Sequence, residues 1–445
     1  MKKFFETIKN IYKIEDLRAR ILYTLGILLI YRLGSHIVLP GVNPNELKAF
    51  ADRSSQGVLG ILDMFSGGAF SHASIFALGI MPYISASIVI QLLGIFVPYF
   101  QRLQKEGESG RRKINQITRY LTVFILLVQA PSYLTQIPLE ARVLPGTFFI
   151  FSSVLILTTG TIFIMWLGEK ITDKGIGNGI SLIIMIGIIA RLPFAFSSEL
   201  VACLEKQGGG MVKFLVEIVF LFLVFVVSIL LVQGTRRIPV QYAKRIVGNK
   251  QYGGVRQYIP IKVNAAGVMP IIFAQAIMFL PLTFARYGGS NASGFMASFF
   301  AAFTNYQGFW YNFVFALMIV AFTYFYTAIT INPQRMAEDI RKNGGFIPGV
   351  KPGKKTVEFM DNILSRITLP GSLFLAFVAI MPAFAMKAGI TSGFAHFYGG
   401  TSLLILVGVV LDTLQQIESH LLMRHYDGLM KSGRVKGRSG SMASV

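Results

Sequence analysis

The side chains that could carry out chemistry in this 445-residue sequence are few and scattered. The five histidines show no HExxH spacing, and the single cysteine, Cys203, excludes a disulfide framework or a cluster of thiolates around a metal. No GxxxxGK[ST] motif is present to hold nucleotide phosphates. No pairing of Ser with Lys, Asp with Asp or His with Glu fits intramembrane proteolysis. The sequence therefore argues against an enzyme and predicts neither a cofactor nor a metal.

Three acidic residues, Glu217, Asp412 and Glu418, lie within otherwise apolar stretches. Ionisable groups at membrane depth are costly and often serve a proton relay or an ion pathway. Because the remaining stretches are nearly free of charge in their middles, we interpret these three as structural groups that face protein or water. A proton relay is the alternative interpretation.

The composition is that of a membrane protein. Hydrophobic residues make up 53% of the chain and charged residues only 14%, yet the formal net charge is +21. A soluble domain needs roughly a quarter charged residues to cover its surface. A small number of charges with a large basic excess is typical of membrane proteins with basic loops.

Ten apolar stretches are long enough to span a bilayer, which needs about 20 residues for each crossing. They lie near 21–40, 73–98, 117–136, 147–168, 178–195, 214–233, 263–284, 309–331, 367–387 and 400–422. With these spans, 33 of the 42 Lys and Arg residues fall on the side of both termini and 8 on the other side. Positive residues concentrate on the cytoplasmic side, so both termini are predicted to be cytoplasmic.

The apolar segment 56–70 is too short to span and ends in Gly67-Gly68. Irregular backbone at membrane depth is tolerated where it is buried in protein or lines a water-filled cavity. The segment therefore predicts a re-entrant half-helix that enters the protein from outside. A surface amphipathic segment is the alternative.

A short repeated motif suggests that the chain consists of two related halves. GIMP at 79–82 lies in the second span, and GVMP at 267–270 lies in the seventh. The two motifs are five spans apart, so equivalent helices run in opposite directions, as in an inverted-topology repeat.

Two long basic loops, 234–262 and 331–368, separate spans of the second half. The first has no acidic residue, and the second carries a Gly/Pro-rich tip. With Phe346 and Ile347 expected to be exposed, the loops resemble docking arms for a large partner. Ordinary solvated loops are the alternative.

The sequence closely resembles the SecY family, the central subunits of the bacterial secretion translocon, from about residue 14 to 430. The motifs that carry this resemblance are MFSGGA at 64–69, ASIFALGIMPYISASI at 73–88, KEGESGRRK at 105–113, GIGNGIS at 175–181, RRI at 236–238, YAKR at 242–245, KVN at 262–264 and GGTSLLI at 399–405.

The resemblance implies an all-α membrane protein of ten transmembrane helices. Its two inverted-repeat halves, spans one to five and six to ten, surround a central hourglass pore with a re-entrant plug half-helix. The expected divisions are an amphipathic cytoplasmic segment (1–20), an N-terminal half (21–195, with the plug at about 59–70), a C-terminal half (196–422) and a cytoplasmic tail (423–445).

Three sets of site residues follow from the family resemblance. The pore ring corresponds to Ile80, Ile84, Ile180, Ile184, Ile272 and Ile405, and the plug to Leu59, Gly60, Ile61, Leu62, Asp63, Met64, Phe65, Ser66, Gly67 and Gly68. The lateral gate lies between the second and seventh spans, with Ser85, Ser87, Gln91 and Asn264 as the polar residues that could bridge it.

The resemblance also implies partners and a location in the bacterial cytoplasmic (inner) membrane. The partners are the small subunits SecE and SecG, the ATPase SecA, the ribosome including its rRNA, signal sequences with precursor polypeptides, and membrane lipids. The expected docking residues are Arg236, Arg237, Lys244, Arg245, Arg256, Phe346, Pro348, Gly349, Lys351 and Pro352.

Lys351 departs from the family, which usually has Arg at this step of the loop. Lysine keeps the charge but not the planar bidentate fork of a guanidinium. The expected function is a channel that translocates unfolded proteins and releases transmembrane segments laterally into the membrane. An inverted-repeat secondary transporter and a specialised translocon paralogue remain the alternatives.

Overall fold

The computed structural model describes residues 14–47, 57–143, 146–205, 210–242, 245–247, 250–252, 256–275, 277–278 and 307–431. Long helices dominate this part of the chain, joined by short turns and two small sheets. The largest core cluster draws on helices from both halves of the sequence and includes Ile80, Ile84, Ile184 and Ile405. The core therefore lies where the two predicted halves meet.

Thirteen helices are numbered here in chain order within the described residues. They are α1 (Glu15–Gly34), α2 (Gly57–Phe65), α3 (Met81–Phe96), α4 (Pro98–Lys105), α5 (Glu108–Leu134), α6 (Gly146–Lys174), α7 (Gly179–Glu205), α8 (Gly210–Gln233), α9 (Phe309–Thr330), α10 (Pro333–Lys342), α11 (Lys354–Lys387), α12 (Ser392–Ala395) and α13 (Gly400–Lys431). Residues 269–275 and 277–278 are also helical and are called the 269–278 segment below.

Seven helical stretches of the described chain are long and apolar enough to cross a membrane: Glu108–Leu134, Gly146–Lys174, Gly179–Glu205, Gly210–Gln233, Phe309–Lys342, Lys354–Lys387 and Gly400–Leu421. The helices α3 and α4, bent by 97° at the break between them, would add an eighth. The predicted spans 21–40 and 263–284 are not among these eight, and the second of them falls partly outside the described residues. The chain is a multi-pass membrane protein, and these helices are consistent with the ten predicted spans.

The predicted second span, 73–98, is wrong over its first third. Residues 73–80 form turns, and the helix begins only at Met81. Gly79 has a φ of +55°, which a right-handed helix cannot contain, and Pro82 stands in the first helical turn, where its missing N–H costs nothing.

The turns before α3 run through the protein interior and are held by backbone hydrogen bonds. Leu39 N–H donates to Ala73 O at 2.8 Å, and Ile75 N–H donates to Ile37 O at 3.0 Å. The predicted first span, 21–40, is accordingly helical only to Gly34, because its last residues pair with these turns. The N–H and C=O groups of this non-helical backbone thus bond to other protein groups, because lipid offers no hydrogen-bond partners.

The two long basic loops together form one small antiparallel sheet with the strand order β4–β1–β5. Its strands are β1 (Thr235–Tyr242), β4 (Arg256–Lys262) and β5 (Gly345–Phe346), while β2 (Arg245–Val247) and β3 (Lys250–Tyr252) pair separately. In β1, Gln241 is opposite Phe346 and Tyr242 is opposite Gly345. The two loops therefore form one unit rather than two separate arms. This unit, built on the strands β1, β4 and β5, is called the platform below.

The prediction that Ile347 is exposed is wrong. Its exposed fraction is 2%, because it packs beneath the sheet in a cluster with Ile238, Val240, Met360 and Leu364. Burying a side chain of this size is worth roughly 1.5–3 kcal/mol. Phe346, 39% exposed, remains at the surface as predicted.

Candidate functional site

The predicted plug segment, residues 59–70, is held in the protein by a buried ion pair. Asp63 in α2 is 3% exposed, and Arg191 in α7 donates to its Oδ2. The same guanidinium donates to Ser71 Oγ at 2.6 Å, and Ser71 N–H donates to Asp63 Oδ1 at 2.8 Å. Both carboxylate oxygens of Asp63 are thus bonded, which compensates for taking the charge out of water.

The turn that follows α2 is held by the first helix. In α1, Arg32 Nη1 donates to Gly67 O at 2.6 Å, and Tyr31 OH donates to Ser66 O at 3.2 Å. Gly67 has a φ of +65° and lies so close to α7 that a Cβ atom would come within 2.8 Å of Gly187 Cα. The plug therefore fits against α7 only because both contacting residues are glycine.

Four of the six predicted ring isoleucines line a single small cavity of about 10 Å³. These are Ile84 from α3, Ile184 from α7, Ile272 from the 269–278 segment and Ile405 from α13. The remaining lining residues are Phe65, Met81 and Gln275. A space of this size is at the lower limit for one water molecule. The four isoleucines come from sequence positions up to 321 residues apart and leave almost no opening between them.

The other two predicted ring residues lie near this cavity but do not line it. Ile80 is 3% exposed and belongs to the same core cluster, against which Ile180 packs while remaining half-buried. The side chain of Ile180 lies against α6, where its Cγ1 is 3.1 Å from the place that a Cβ atom on Gly168 would take.

A wider cavity of about 360 Å³ adjoins this small cavity. Ile184, Ile272 and Ile405 line both cavities and so form the wall between them. The wider cavity also has polar walls, which include Asn178, Ser181, Lys262, Asn264 and Asp412. Asp412 thus faces a cavity, in agreement with its interpretation as a group that faces protein or water. A wide chamber with polar groups in a mainly apolar wall, narrowing to an apolar ring, is the profile of half an hourglass.

Ser85, Ser87 and Gln91 lie on α3, whereas Asn264 lies in the turns at 263–268, where the predicted seventh span is not helical. Among the described residues, no hydrogen bond of these four side chains crosses between the two elements. Ser85 Oγ donates to Met81 O at 3.1 Å, and Gln91 Nε2 donates to Ser87 Oγ at 3.4 Å, both within α3. Asn264 is 7% exposed, and its Oδ1 has no partner in the described part of the chain.

Arg191 and Gln275 are site residues that were not identified from the sequence, as are Arg32, Ser71 and Met81. Arg191 lies within the predicted fifth span, 178–195, but was not singled out; α7 continues to Glu205, and the guanidinium reaches Asp63. Gln275 was not singled out, although it is the single polar residue in the apolar run 268–280. Its position as the one polar residue of an apolar stretch was the available signal, because polar side chains within membrane segments are costly and usually functional.

The expected docking residues lie on or beside the sheet. Arg236, Arg237 and Arg256 are exposed on its strands, and the exposed residues after β5 are Pro348, Gly349, Lys351 and Pro352. Lys244 lies outside the described residues, and Arg245 is placed in β2 by its backbone. The platform therefore presents a strongly basic surface with Phe346 at its edge.

A buried polar group joins α7 to α8 away from the cavities. Glu199, Cys203 and Glu217 bring a thiol and two carboxylates within 4.8 Å of one another, the kind of set that could hold a metal ion. Lys213 Nζ, however, is 3.6 Å from Glu217 Oε1, and Thr391 N–H donates to Glu199 Oε2 at 2.8 Å. We interpret the group as a structural contact, as the sequence suggested for Glu217.

Comparisons with known proteins agree on one family. The sequence profile described as SecY matches residues 74–414. The protein translocase subunit SecY of Streptomyces scabiei is 41% identical over 437 residues, which cover 94% of this chain and 98% of that protein. The subunit of the same description from Mycobacterium tuberculosis strain H37Rv is 40% identical over 441 residues, covering 94% and 97%.

Solved structures with the same fold include a protein conducting channel, with a TM-score of 0.64 and 17% identity over 96% of this chain and 95% of that one. A second is described as showing that the plug domain of SecY stabilises the closed state of the translocation channel and maintains a membrane seal (TM-score 0.64, 18% identity, 96% and 95% covered). A third is Sec61 in the canine ribosome–channel complex (TM-score 0.60, 16% identity, 96% and 95% covered).

Proposed function

Because this chain belongs to the SecY family and is a protein-conducting channel subunit rather than an enzyme, we propose that the isoleucine ring and the plug segment close its pore at rest. The observation that carries the proposal is the cavity of about 10 Å³ in which Phe65 of the plug meets Ile84, Ile184, Ile272 and Ile405. Branched apolar side chains at such a constriction exclude water and ions by dewetting. They also offer no hydrogen bonds to retain a passing polypeptide.

The lateral gate that this proposal requires lies between α3 and the 269–278 segment. Met81 and Ile84 of α3 share the small cavity with Ile272 and Gln275, so the two elements meet at the constriction. Ser85, Ser87, Gln91 and Asn264 are the polar residues near this boundary. Hydrogen bonds between membrane helices average only about 0.6 kcal/mol, so a signal sequence could displace any that form.

The proposed partners act on the basic platform. Seven Lys and Arg residues lie in 234–262 with no acidic residue, a surface suited to rRNA phosphates and to an acidic motor surface. Ribosome-bound channels among the structural neighbours support the ribosome as one partner. SecA is the proposed motor, SecE and SecG the proposed small subunits, and membrane lipids surround the exposed apolar faces of the helices.

The proposed location is the bacterial cytoplasmic membrane, with both termini and the platform in the cytoplasm. The support is the distribution of positive residues, 33 of 42 on one side. The wider cavity then opens toward the cytoplasm, since Lys262 lies both in its wall and at the end of β4. The transporter and paralogue alternatives gain no support from the family comparisons.

Site-specific crosslinking of a stalled precursor tests the proposal. A photoreactive residue at Ile84 or Ile405 should capture the translocating chain. Matched controls on the same helices are Val89 in α3 and Val410 in α13, which are 41% and 37% exposed on the outer surface. Capture at Val89 and Val410 but not at Ile84 and Ile405 would contradict the ring.

A further inference from the structure

The polar contact between α7 and α8 brings three metal-ligand side chains together inside the protein. Glu199 and Cys203 lie one turn apart near the end of α7, and Glu217 lies in the second turn of α8. Their exposed fractions are 1%, 6% and 6%. Cys203 Sγ is 3.6 Å from Glu199 Oε1 and 3.9 Å from Glu217 Oε2. A thiol has a single hydrogen and can donate to only one of these two oxygens.

The separations match those that a zinc ion imposes on its ligands. With Zn–S at about 2.3 Å and Zn–O at about 2.1 Å, a tetrahedral ion holds a sulfur and an oxygen about 3.6 Å apart. The three ligand atoms all lie within 4.8 Å of one another, so small side-chain movements are enough to bring them onto one ion. Three protein ligands leave the fourth tetrahedral position to water.

The outer oxygens of the two carboxylates show how the group is oriented. Thr391 N–H donates to Glu199 Oε2 at 2.8 Å, which leaves Oε1 toward Cys203. Glu217 Oε1, in contrast, has no hydrogen-bond partner among the described residues, and Lys213 Nζ is 3.6 Å from it. A carboxylate oxygen that is buried without a hydrogen bond is costly. Ligation of an ion by the Glu217 carboxylate offsets this cost.

The charges of the group favour a divalent ion. Two carboxylates and the Lys213 ammonium leave one negative charge in a buried place, where an uncompensated charge is costly. A divalent ion that displaces the thiol proton brings the sum of the two carboxylates, the thiolate, Lys213 and the ion to zero. The Lys213 side chain is 33% exposed, so the displaced proton has a route to solvent. Thiolate suits zinc, whereas Mg²⁺ and Ca²⁺ prefer ligand sets made of oxygen alone.

We propose that Glu199, Cys203 and Glu217 form a zinc site that completes the contact between α7 and α8. The fifth predicted span lies in α7 and the sixth in α8, so the ion joins the two predicted halves where the chain passes from one to the other. Through Thr391 the site also holds the segment that leads to α13. The three ligands are separated by 4 and 14 positions, a spacing outside the usual zinc motifs, so no metal was predicted from the sequence.

Binding of Co²⁺ tests the site, because this ion takes the same ligands as zinc and a cobalt–thiolate bond has its own charge-transfer absorption in the near ultraviolet. The full-length chain in detergent is titrated with Co²⁺ and then with Zn²⁺ as competitor. Cys203 is the single cysteine of the chain, so a thiolate absorption can come from no other residue. Wild type should show this absorption, and Cys203→Ser should lose it. Loss of a ligand in Cys203→Ser or Glu217→Gln should weaken Zn²⁺ binding by at least about tenfold.

The matched control is Glu418→Gln in α13, since Glu418 is exposed and lies outside the proposed site. Its Zn²⁺ affinity should equal that of wild type. Zn²⁺ should also raise the Tm of wild type and of Glu418→Gln, but not that of Cys203→Ser. Absence of the thiolate absorption in wild type would overturn the zinc site, whether or not every variant folds. Equal Zn²⁺ affinity in wild type and Cys203→Ser would overturn it as well, because the ion would then bind elsewhere.

Discussion

Arg191 of α7 pairs with Asp63 of the plug helix across 128 residues of sequence. The pair fixes the plug from the side of α7, while Arg32 of α1 holds the next turn through Gly67 O. Two guanidinium groups from different helices thus hold a segment of about a dozen residues. The plug is consequently bound by polar contacts that can be broken one at a time, and not by apolar packing alone.

The first prediction concerns this pair. Asp63→Asn keeps an acceptor for Ser71 N–H but leaves Arg191 without its counter-ion. Removing one partner of a buried pair typically costs 3–5 kcal/mol, and because the Arg191 side chain is 26% exposed we expect about 2–3 kcal/mol. The closed plug should loosen, and resting ion conductance in planar bilayers should rise.

Two further variants sharpen that measurement. Arg191→Met in the Asp63→Asn background removes the uncompensated charge and should return part of the seal. Glu108→Gln breaks a pair with Arg112 whose side chains are 82% and 81% exposed, and exposed pairs contribute little, so the conductance should not change. Wild-type conductance in Asp63→Asn would show that the pair does not hold the plug.

The second prediction concerns the ring. Ile84→Gly and Ile405→Gly should each raise resting conductance, because an opening at a dry constriction admits water and then ions. Glycine in a helix costs about 1 kcal/mol at any site. Val89→Gly and Val410→Gly carry the same helix cost on the outer faces of α3 and α13 and should leave the conductance unchanged. Equal leak from all four variants would mean that helix disruption, not the seal, was measured.

The third prediction concerns the exposed residue Lys351, which follows the buried anchor Ile347. Lys351→Glu should reduce SecA-driven translocation into vesicles by at least about tenfold, since like charges placed opposite each other at an interface cost several kcal/mol and about 1.4 kcal/mol already corresponds to a factor of ten. Lys351→Arg should be tolerated, because it restores the residue usual in the family.

The control for Lys351 is another lysine of the same loop. Lys355 is 72% exposed and its Nζ lies 3.9 Å from Glu358 Oε2, so Lys355→Glu makes the same charge change four residues further along the chain, in the first turn of α11. Its translocation should stay near wild type. Equal rates for Lys351→Glu and wild type would identify the tip as an ordinary solvated loop.

The fourth prediction concerns orientation. In a Cys203→Ser background, a cysteine at Lys354 should react with a membrane-impermeant maleimide only from the cytoplasmic side. A cysteine at Leu139, which is 78% exposed, should react only from outside. Labelling of both positions from one side of intact cells would contradict the predicted topology.

Much of the helical framework could be predicted from composition, because apolar runs such as 214–233 and 309–331 match α8 and α9 within a few residues. The start of α3 could not be predicted this way. Residues 73–80 are as apolar as a helix, but the positive φ angles of Ala73 and Gly79 and the pairing with residues 37–39 keep them irregular. Apolar composition sets membrane depth, whereas tertiary contacts decide the backbone conformation.

The candidate site likewise contains residues that could be predicted from the sequence and residues that could not. Ile84 and Ile405 were found through the family resemblance, since no local pattern relates positions 321 residues apart. The role of Arg191 was missed because nothing in the local sequence relates it to Asp63, which lies 128 residues earlier. The burial of Ile347 was missed although β1 carries a readable alternation: Ile238 and Val240 point inward, and Arg237 and Pro239 point outward.

The pairing of β1 with β5 has a mechanical consequence. The strand β4 ends at Lys262, two residues before Asn264 and ten before Ile272. A force applied at Lys351 passes through β5 and β1 into β4, and from there along the chain to the wall between the two cavities. The sheet and a residue of the predicted ring are thus joined by a covalent path of only ten residues, six of them in turns, so a displacement of β4 acts directly on the element that lines both cavities.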